Sequence, residues 1–80
     1  MTKTRDKAYL KAFGDNLRKL REIKKLSQEE LCHQAGFSKN QIGNIERGEV
    51  NTSITSVYIL SVALKVAPAD LFNFEYSHPV

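Results

Sequence analysis

SQEELCHQAGFSKNQIGNIERG, residues 27–48, is the stretch that decides the fold of this chain. It holds two serines that each stand three residues before a Glu or Gln: Ser27 before Glu30, and Ser38 before Gln41. In such a capping box the serine hydroxyl accepts a hydrogen bond from the third backbone N–H of a helix. The Glu or Gln reaches back to the N–H of the serine. The stretch therefore predicts two short helices, each opened by its own serine.

Gly36 lies between the two predicted helices, where a chain leaving a helix needs a positive φ angle that glycine adopts without a Cβ clash. Apolar residues at helical spacing predict one buried stripe on each helix: Leu31, Cys32, Ala35 and Phe37, then Ile42 and Ile45. Two helices joined by a tight glycine turn form a helix-turn-helix pattern. In DNA-binding proteins with this pattern, the second helix enters the major groove.

The ordered set of residues in and around this pattern resembles the phage repressor/Cro-type (xenobiotic-response-element-type) helix-turn-helix family. The residues that carry the resemblance are Leu26–Leu31, Ala35–Ser38, Ile42 and Ile45–Gly48, with Leu17–Glu22 upstream and Leu60, Ala63, Leu64, Val66, Leu71 and Phe72 downstream. One Ser-x-x-Glu box opens many helices, whereas the ordered set is specific. The resemblance covers roughly residues 13–74. It implies an all-α, five-helix lambda-repressor-like DNA-binding domain with the helix-turn-helix at helices 2 and 3.

Chain length and charge are compatible with this class. We expect one domain over residues 1–80, with a flexible basic arm at 1–5 and a C-terminal tail at 75–80. A chain of this size buries only about 60% of its unfolded surface, so dimerisation would add stability. Twelve Lys and Arg against nine Asp and Glu give a net charge of +3, which mildly favours a polyanionic partner.

Several classes of protein are disfavoured. The single cysteine, Cys32, cannot form an intramolecular disulfide and is expected to be a small buried residue. There is no signal-peptide pattern and no apolar run near the roughly 20 residues that span a bilayer, so a cytoplasmic protein without a membrane partner is expected. His33 and His78 lack companions at metal-ligand spacing. No catalytic triad or phosphate-cradling glycine loop can be assembled, so neither an enzyme nor a cofactor is expected.

Helical periodicity predicts five helices, at about 6–24, 28–35, 39–47, 53 or 55–64, and 68–73. The fourth is expected to turn five residues inward: Ile54, Val57, Leu60, Ser61 and Leu64. Gly14 is expected to weaken the first helix by about 1 kcal/mol relative to alanine. Lys25 stands where the family often has a helix-ending glycine, and a left-handed backbone there would strain it.

The third helix is expected to turn amides and cations outward, with no carboxylate among them: Lys39, Asn40, Gly43, Asn44 and Arg47. A polar outer face is ordinarily just solvated, but asparagine pairs bidentately with adenine, and lysine donates to guanine or phosphate. The resemblance implies that Lys39, Asn40 and Asn44 read bases. Gln41 is a further candidate, although its capping role competes. Gly43 either allows close approach to a base or is merely tolerated.

Phosphate contacts are expected beside these residues. Gln28 begins a helix, and the free N–H groups of a helix N-terminus bind anions well. The further candidates are Ser38, Arg47, Asn51, Thr52 and Ser53. Glu49 opposes this interpretation, since it places a negative charge near the DNA backbone. A basic arm of Lys3, Arg5 and Lys7 either follows the DNA or is solvated.

Two further groups of residues have structural roles. The resemblance implies an ion pair between Arg21 and Glu46 that ties the first and third helices together. The second group holds apolar residues of the last two helices and the tail: Tyr58, Ile59, Val62, Phe72, Phe74 and Tyr76. They either complete a small core or form an exposed cluster, and an exposed cluster marks an interface. We favour a two-fold homodimer through this second group.

The sequence thus predicts a transcriptional regulator that binds double-stranded DNA sequence-specifically, as a homodimer on a pseudo-palindromic operator. It would occlude a promoter or position RNA polymerase. The alternative is a protein-interaction module of antitoxin type that neutralises a partner toxin, with DNA binding secondary. In that case the exposed apolar residues would be the functional surface.

Overall fold

Four α-helices and one 3₁₀ helix form the fold in the computed structural model, which describes residues 6–76. In chain order they are α1 (Lys7–Ile23), α2 (Gln28–Ala35), α3 (Lys39–Glu46), α4 (Ile54–Leu64) and the 3₁₀ helix Pro68–Phe72. These residues contain no strand, so the prediction of an all-α chain is confirmed. The predicted count of five is not matched, because the last element is a single short segment closed by i to i+3 hydrogen bonds.

The helix starts follow from local hydrogen bonds. Ser27 Oγ accepts from the N–H of Glu30 at 3.0 Å, and the Glu30 carboxylate accepts from the N–H of Ser27 at 2.8 Å. The second capping box, at Ser38 and Gln41, closes in the same way at 3.2 and 2.7 Å. The hydrogen bonds from Ser27 lower the pKa of Glu30 below its ordinary value. Both predicted boxes are therefore present.

The predicted left-handed position at Gly36 is confirmed, and the backbone at Lys25 is also left-handed. Gly36 has φ +74° and ends α2, and the N–H of Phe37 returns to the carbonyl of Cys32 at 3.0 Å. Lys25 has φ +59° just after α1, so a residue with a Cβ atom occupies a conformation that favours glycine.

The core lies where all five elements meet and consists of Phe13, Leu17, Leu31, Cys32, Ile42, Ile45, Val57, Leu60, Leu64 and Leu71. Burial raises the pKa of the Cys32 thiol, which donates to the carbonyl of Ser38 at 3.4 Å. The expectation that Ile54 points inward is wrong, since this residue is 90% exposed. As the first residue of α4 it shares a face with Tyr58, one turn later, and that face is turned to solvent.

Gly14 sets the position of α3 against α1. A Cβ atom at this residue would lie 2.3 Å from the carbonyl oxygen of Ile45 and 2.5 Å from that of Glu46. No side chain fits between the two backbones. Glycine weakens the helix here, but its missing side chain allows the backbone of α1 to contact the end of α3 directly.

The predicted pair of Arg21 and Glu46 is present and buried, with 8% and 4% of each residue exposed. Arg21 Nε and Nη2 donate to the two carboxylate oxygens at 2.7 and 3.2 Å, and Nη1 donates to the carbonyl of Leu26 at 2.7 Å. Gln28 Nε2 also donates to Glu46, at 2.9 Å. The hydrogen bond to Glu46 raises the pKa of Arg21 above its ordinary value. This cluster joins α1, α2 and α3.

The last described residues pack back on the start of α1. The ring of Tyr9 lies 5.3 Å from that of Phe74 and 5.0 Å from that of Tyr76. The Tyr76 hydroxyl lies 3.0 Å from a carboxylate oxygen of Asp6, the residue that caps α1. Phe74 and Tyr76 are therefore engaged within their own chain, which revises the expectation that they belong to a surplus apolar surface.

Candidate nucleic-acid interface

The outer face of α3 carries the predicted base-reading residues. Lys39, Asn40 and Gln41 are exposed and Asn44 is half-buried, while Ile42 and Ile45 lie in the core. The expectation that Gly43 lies open on this face is wrong. Gly43 is buried, and a Cβ atom on it would lie 2.9 Å from Nη1 of Arg47. The guanidinium therefore lies across the helix surface at this glycine.

Arg47 is held at both ends of its guanidinium. Its Nη2 donates to Oδ1 of Asn44 at 2.6 Å, and its Nε donates to Oε1 of Glu49 at 3.1 Å. The negative charge of Glu49, which counted against phosphate binding nearby, thus has a cationic partner in its own loop. Sequence reasoning missed this three-residue arrangement, although the i, i+3 spacing of Asn44 and Arg47 on a helix was a visible signal.

A groove of about 260 Å³ separates α3 from the loop that leads into α4. It is lined by Gln41 and Asn44 on one side and by Asn51, Thr52 and Ser53 on the other. The fold thus brings candidates for base contact and candidates for phosphate contact to the same groove, although they are up to a dozen positions apart in sequence.

Several of the predicted phosphate residues also form hydrogen bonds inside the chain. Ser38 and Ser53 cap α3 and α4, and Gln28 donates to the buried carboxylate of Glu46. Lys3 and Arg5 lie outside the described residues. Lys7 is the first residue of α1 rather than part of an arm, and it lines a surface depression with Arg47 and Glu49. Sequence reasoning did not connect Lys7 with the end of α3.

A second surface faces solvent on α4. Its apolar residues recur one turn apart and are largely exposed: Ile54 at 90%, Tyr58 at 61% and Val62 at 58%. Helix α4 carries no charged side chain. We call these three residues the α4 stripe. Of the other predicted interface residues, Ile59 is half-buried and Phe72 is 46% exposed on the 3₁₀ helix.

Residues 6–76 hold neither a metal-binding cluster nor a membrane-spanning helix. No group of three or more His, Cys, Asp or Glu side chains is placed to hold a metal ion there. None of the described helices is both long and apolar enough to cross a membrane.

Comparison with known proteins adds to this geometry. A family model described as helix-turn-helix matches residues 17–71, more than half of the chain. The chain belongs to the helix-turn-helix family. It is 38% identical over 61 residues to an uncharacterized HTH-type transcriptional regulator, y4dJ, of Sinorhizobium fredii, covering 76% of this chain and 79% of that protein. Members of this family are DNA-binding transcription regulators, and this helix-turn-helix protein is such a regulator.

Solved structures agree with this assignment. The restriction-modification controller protein C.AhdI of Aeromonas hydrophila is 42% identical, with a TM-score of 0.80 over 81% of this chain and 98% of that one. The controller protein C.Esp1396I, solved as a tetramer with its natural 35 base-pair operator, is 25% identical with a TM-score of 0.76. That match covers 84% of this helix-turn-helix protein and 88% of the controller.

Proposed function

We propose that this protein binds a pseudo-palindromic operator as a homodimer, in the manner of a restriction–modification controller, and regulates transcription from the adjoining promoter. The observation that carries the proposal is the groove beside α3, where Gln41 and Asn44 face Asn51 and Thr52. Amide and cationic side chains on an exposed helix match the donors and acceptors of the major groove. We expect residues at helix ends and in the neighbouring loop to bind phosphates on either side.

The α4 stripe supports the dimer. A small domain gains stability by covering apolar surface, and a stripe on one helix can pair with its own copy about a two-fold axis. Such a dimer would present two copies of α3 about 34 Å apart, one turn of DNA. The proposed interface includes Ile54 with Tyr58 and Val62. It excludes Phe74 and Tyr76, which pack within their own chain.

The test is binding selection from a random DNA library, followed by affinity measurements on the enriched site. We expect Asn40→Ala to weaken binding to that site by about 1 to 3 kcal/mol and to change binding to random DNA little, as a base contact does. Gln34→Ala, at an exposed amide on α2, is the control for loss of an amide. Equal losses on both DNAs would assign Asn40 to the DNA backbone. A selection that fails to enrich any sequence would contradict the proposal as a whole.

An antitoxin-type role, or contact with RNA polymerase, would place a protein partner on the α4 stripe instead. The same selection separates these cases, because a palindromic enriched site requires two copies of the chain. A single enriched half-site, bound by a monomer at full affinity, would leave the stripe for another protein.

A further inference from the structure

Two amide side chains in the groove have their carbonyl oxygens engaged inside the chain. Gln41 Oε1 accepts from the N–H of Ser38 at 2.7 Å, and Asn44 Oδ1 accepts from Arg47 at 2.6 Å. A guanidinium has five donors and no acceptor, so the atom that Asn44 turns toward Arg47 must be its oxygen. The amide nitrogen of Asn44 then remains for a ligand.

Arg47 is fixed in this position by more than Asn44. Glu49 accepts from its Nε at 3.1 Å, and Gly43 leaves room for the guanidinium on the helix surface. A hydrogen bond to a charged donor is stronger than one between neutral groups. The arrangement therefore favours one orientation of the Asn44 amide before any ligand arrives.

We propose that Asn44 reads DNA as a hydrogen-bond donor, oriented by Arg47, and so selects guanine over adenine at its position in the operator. The inference rests on the proposed function. Bidentate recognition of adenine requires one acceptor and one donor from the amide, because adenine presents an N6 donor and an N7 acceptor. The Asn44 oxygen keeps a second lone pair, but an adenine N6–H donor there would approach the positive charge of Arg47. Guanine presents two acceptors, N7 and O6, which suit the amide nitrogen beside that charge.

Asn40 differs from Asn44 in this respect. None of the hydrogen bonds described for residues 6–76 engages its amide, and the residue is exposed at the start of α3. Its oxygen and nitrogen are both available for adenine. Two asparagines on one helix thus have different base preferences, and Arg47 is the positioning residue that makes them different.

Gly43→Ala tests the role of Arg47 without deleting it. The added methyl group would lie 2.9 Å from Nη1 of Arg47, so the guanidinium must shift from its position beside Asn44. Alanine favours the helix more than glycine does, so the fold is retained. Arg47→Met removes the donor directly, and Arg18→Met, at an exposed arginine of α1, is the matched control.

The experiment is selection from a random DNA library with the wild type and each variant. Asn44→Ala identifies the operator position that Asn44 reads, because base preference is lost there. At that position we expect the wild type to prefer guanine over adenine about tenfold, the size of one good base contact. Gly43→Ala and Arg47→Met should shift the preference toward adenine by a similar factor, and Arg18→Met should not.

A wild-type preference for adenine at that position would overturn the inference, as would variants that weaken binding to every sequence alike. If Arg47→Met does not fold, the wild type decides by itself. At that position 7-deazaguanine lacks the N7 acceptor and 2-aminopurine lacks the O6 acceptor. At least one of the two replacements should weaken binding about tenfold, and unchanged binding to both would contradict the inference. A library that yields no preferred sequence would instead contradict the proposed function.

Discussion

Arg21 illustrates how one buried side chain connects three helices. It donates to Glu46 on α3 and to the carbonyl of Leu26 before α2, while Gln28 shares the same carboxylate. The exchange of water for these partners makes the net worth of an intact buried pair small, but a single buried charge without its partner is costly.

We expect Arg21→Ala to lower the free energy of unfolding by about 3 to 5 kcal/mol, because Glu46 would remain charged and buried. The double variant Arg21→Met, Glu46→Leu should recover part of this loss. Recovery stays incomplete because Gln28 and the Leu26 carbonyl lose their partners. Urea unfolding followed by circular dichroism measures both. Arg18→Ala, at an exposed arginine of the same helix, is the control. If Arg21→Ala were as stable as Arg18→Ala, the pair would contribute nothing to stability.

Lys25 is a second residue with a clear energetic sign. Its φ of +59° costs a residue with a Cβ atom about 1 to 2 kcal/mol. Glycine would remove this strain, but it loses more conformational entropy on folding, so only part of the strain energy is gained as stability. We expect Lys25→Gly to stabilise the protein by about 0.5 to 1 kcal/mol in thermal unfolding. The neighbouring Lys24 has φ −80°, so Lys24→Gly should destabilise it instead. A stabilisation by both variants would point to removal of charge.

At the scale of the element, the caps of α2 and α3 differ in one chemical respect. Glu30 closes the box of α2 and titrates, whereas Gln41 closes that of α3 and does not. The pKa of Glu30 is lowered in the folded chain from 4.5, so this carboxylate stabilises the fold above that pH. The contribution is lost as the pH falls through the lowered pKa.

We therefore expect Glu30→Gln to keep the cap but to weaken the acid dependence of stability below about pH 4.5. Urea unfolding at a series of pH values from 7 to about 3 checks this against the wild type, with Glu29→Gln as the control on the same turn. Parallel curves for wild type and Glu30→Gln would show that the carboxylate does not titrate with folding.

Sequence predicted these elements well where the determinants are local. A capping box or a left-handed glycine depends on residues three or four apart, so Ser27, Ser38 and Gly36 were assigned correctly. The inward face of α4 was assigned correctly except at Ile54, because periodicity gives a repeat but does not say where the first turn leaves the core. The intramolecular packing of Tyr76 on Tyr9 depends on the whole fold, and no local signal reports it. The same holds for the site: the residues of α3 were predicted, but the hydrogen bonds that set what each can offer were not.

At the scale of the whole molecule, the exposed α4 stripe is the proposed dimer interface. We expect Tyr58→Glu with Val62→Glu to give a folded monomer, because like charges would face each other across the two-fold axis. Sedimentation at micromolar concentration measures the change, and operator affinity should fall with it. Thr55→Glu, at an exposed polar position of the same helix, is the control. If the wild-type protein sediments as a monomer, the stripe is not a dimer interface.

The reactivity of the buried Cys32 thiol can report how often the helix-turn-helix opens. It is the single cysteine of the sequence and lies beneath the turn between α2 and α3, bonded to the carbonyl of Ser38. An alkylating reagent reacts with the thiolate, which burial disfavours, so modification proceeds through transient opening of the helix-turn-helix. The alkylation rate then reports the opening equilibrium of the helix-turn-helix without any label or substitution. Because an operator binds the closed form, saturating DNA should slow alkylation in proportion to its affinity, so binding can be measured from inside the protein.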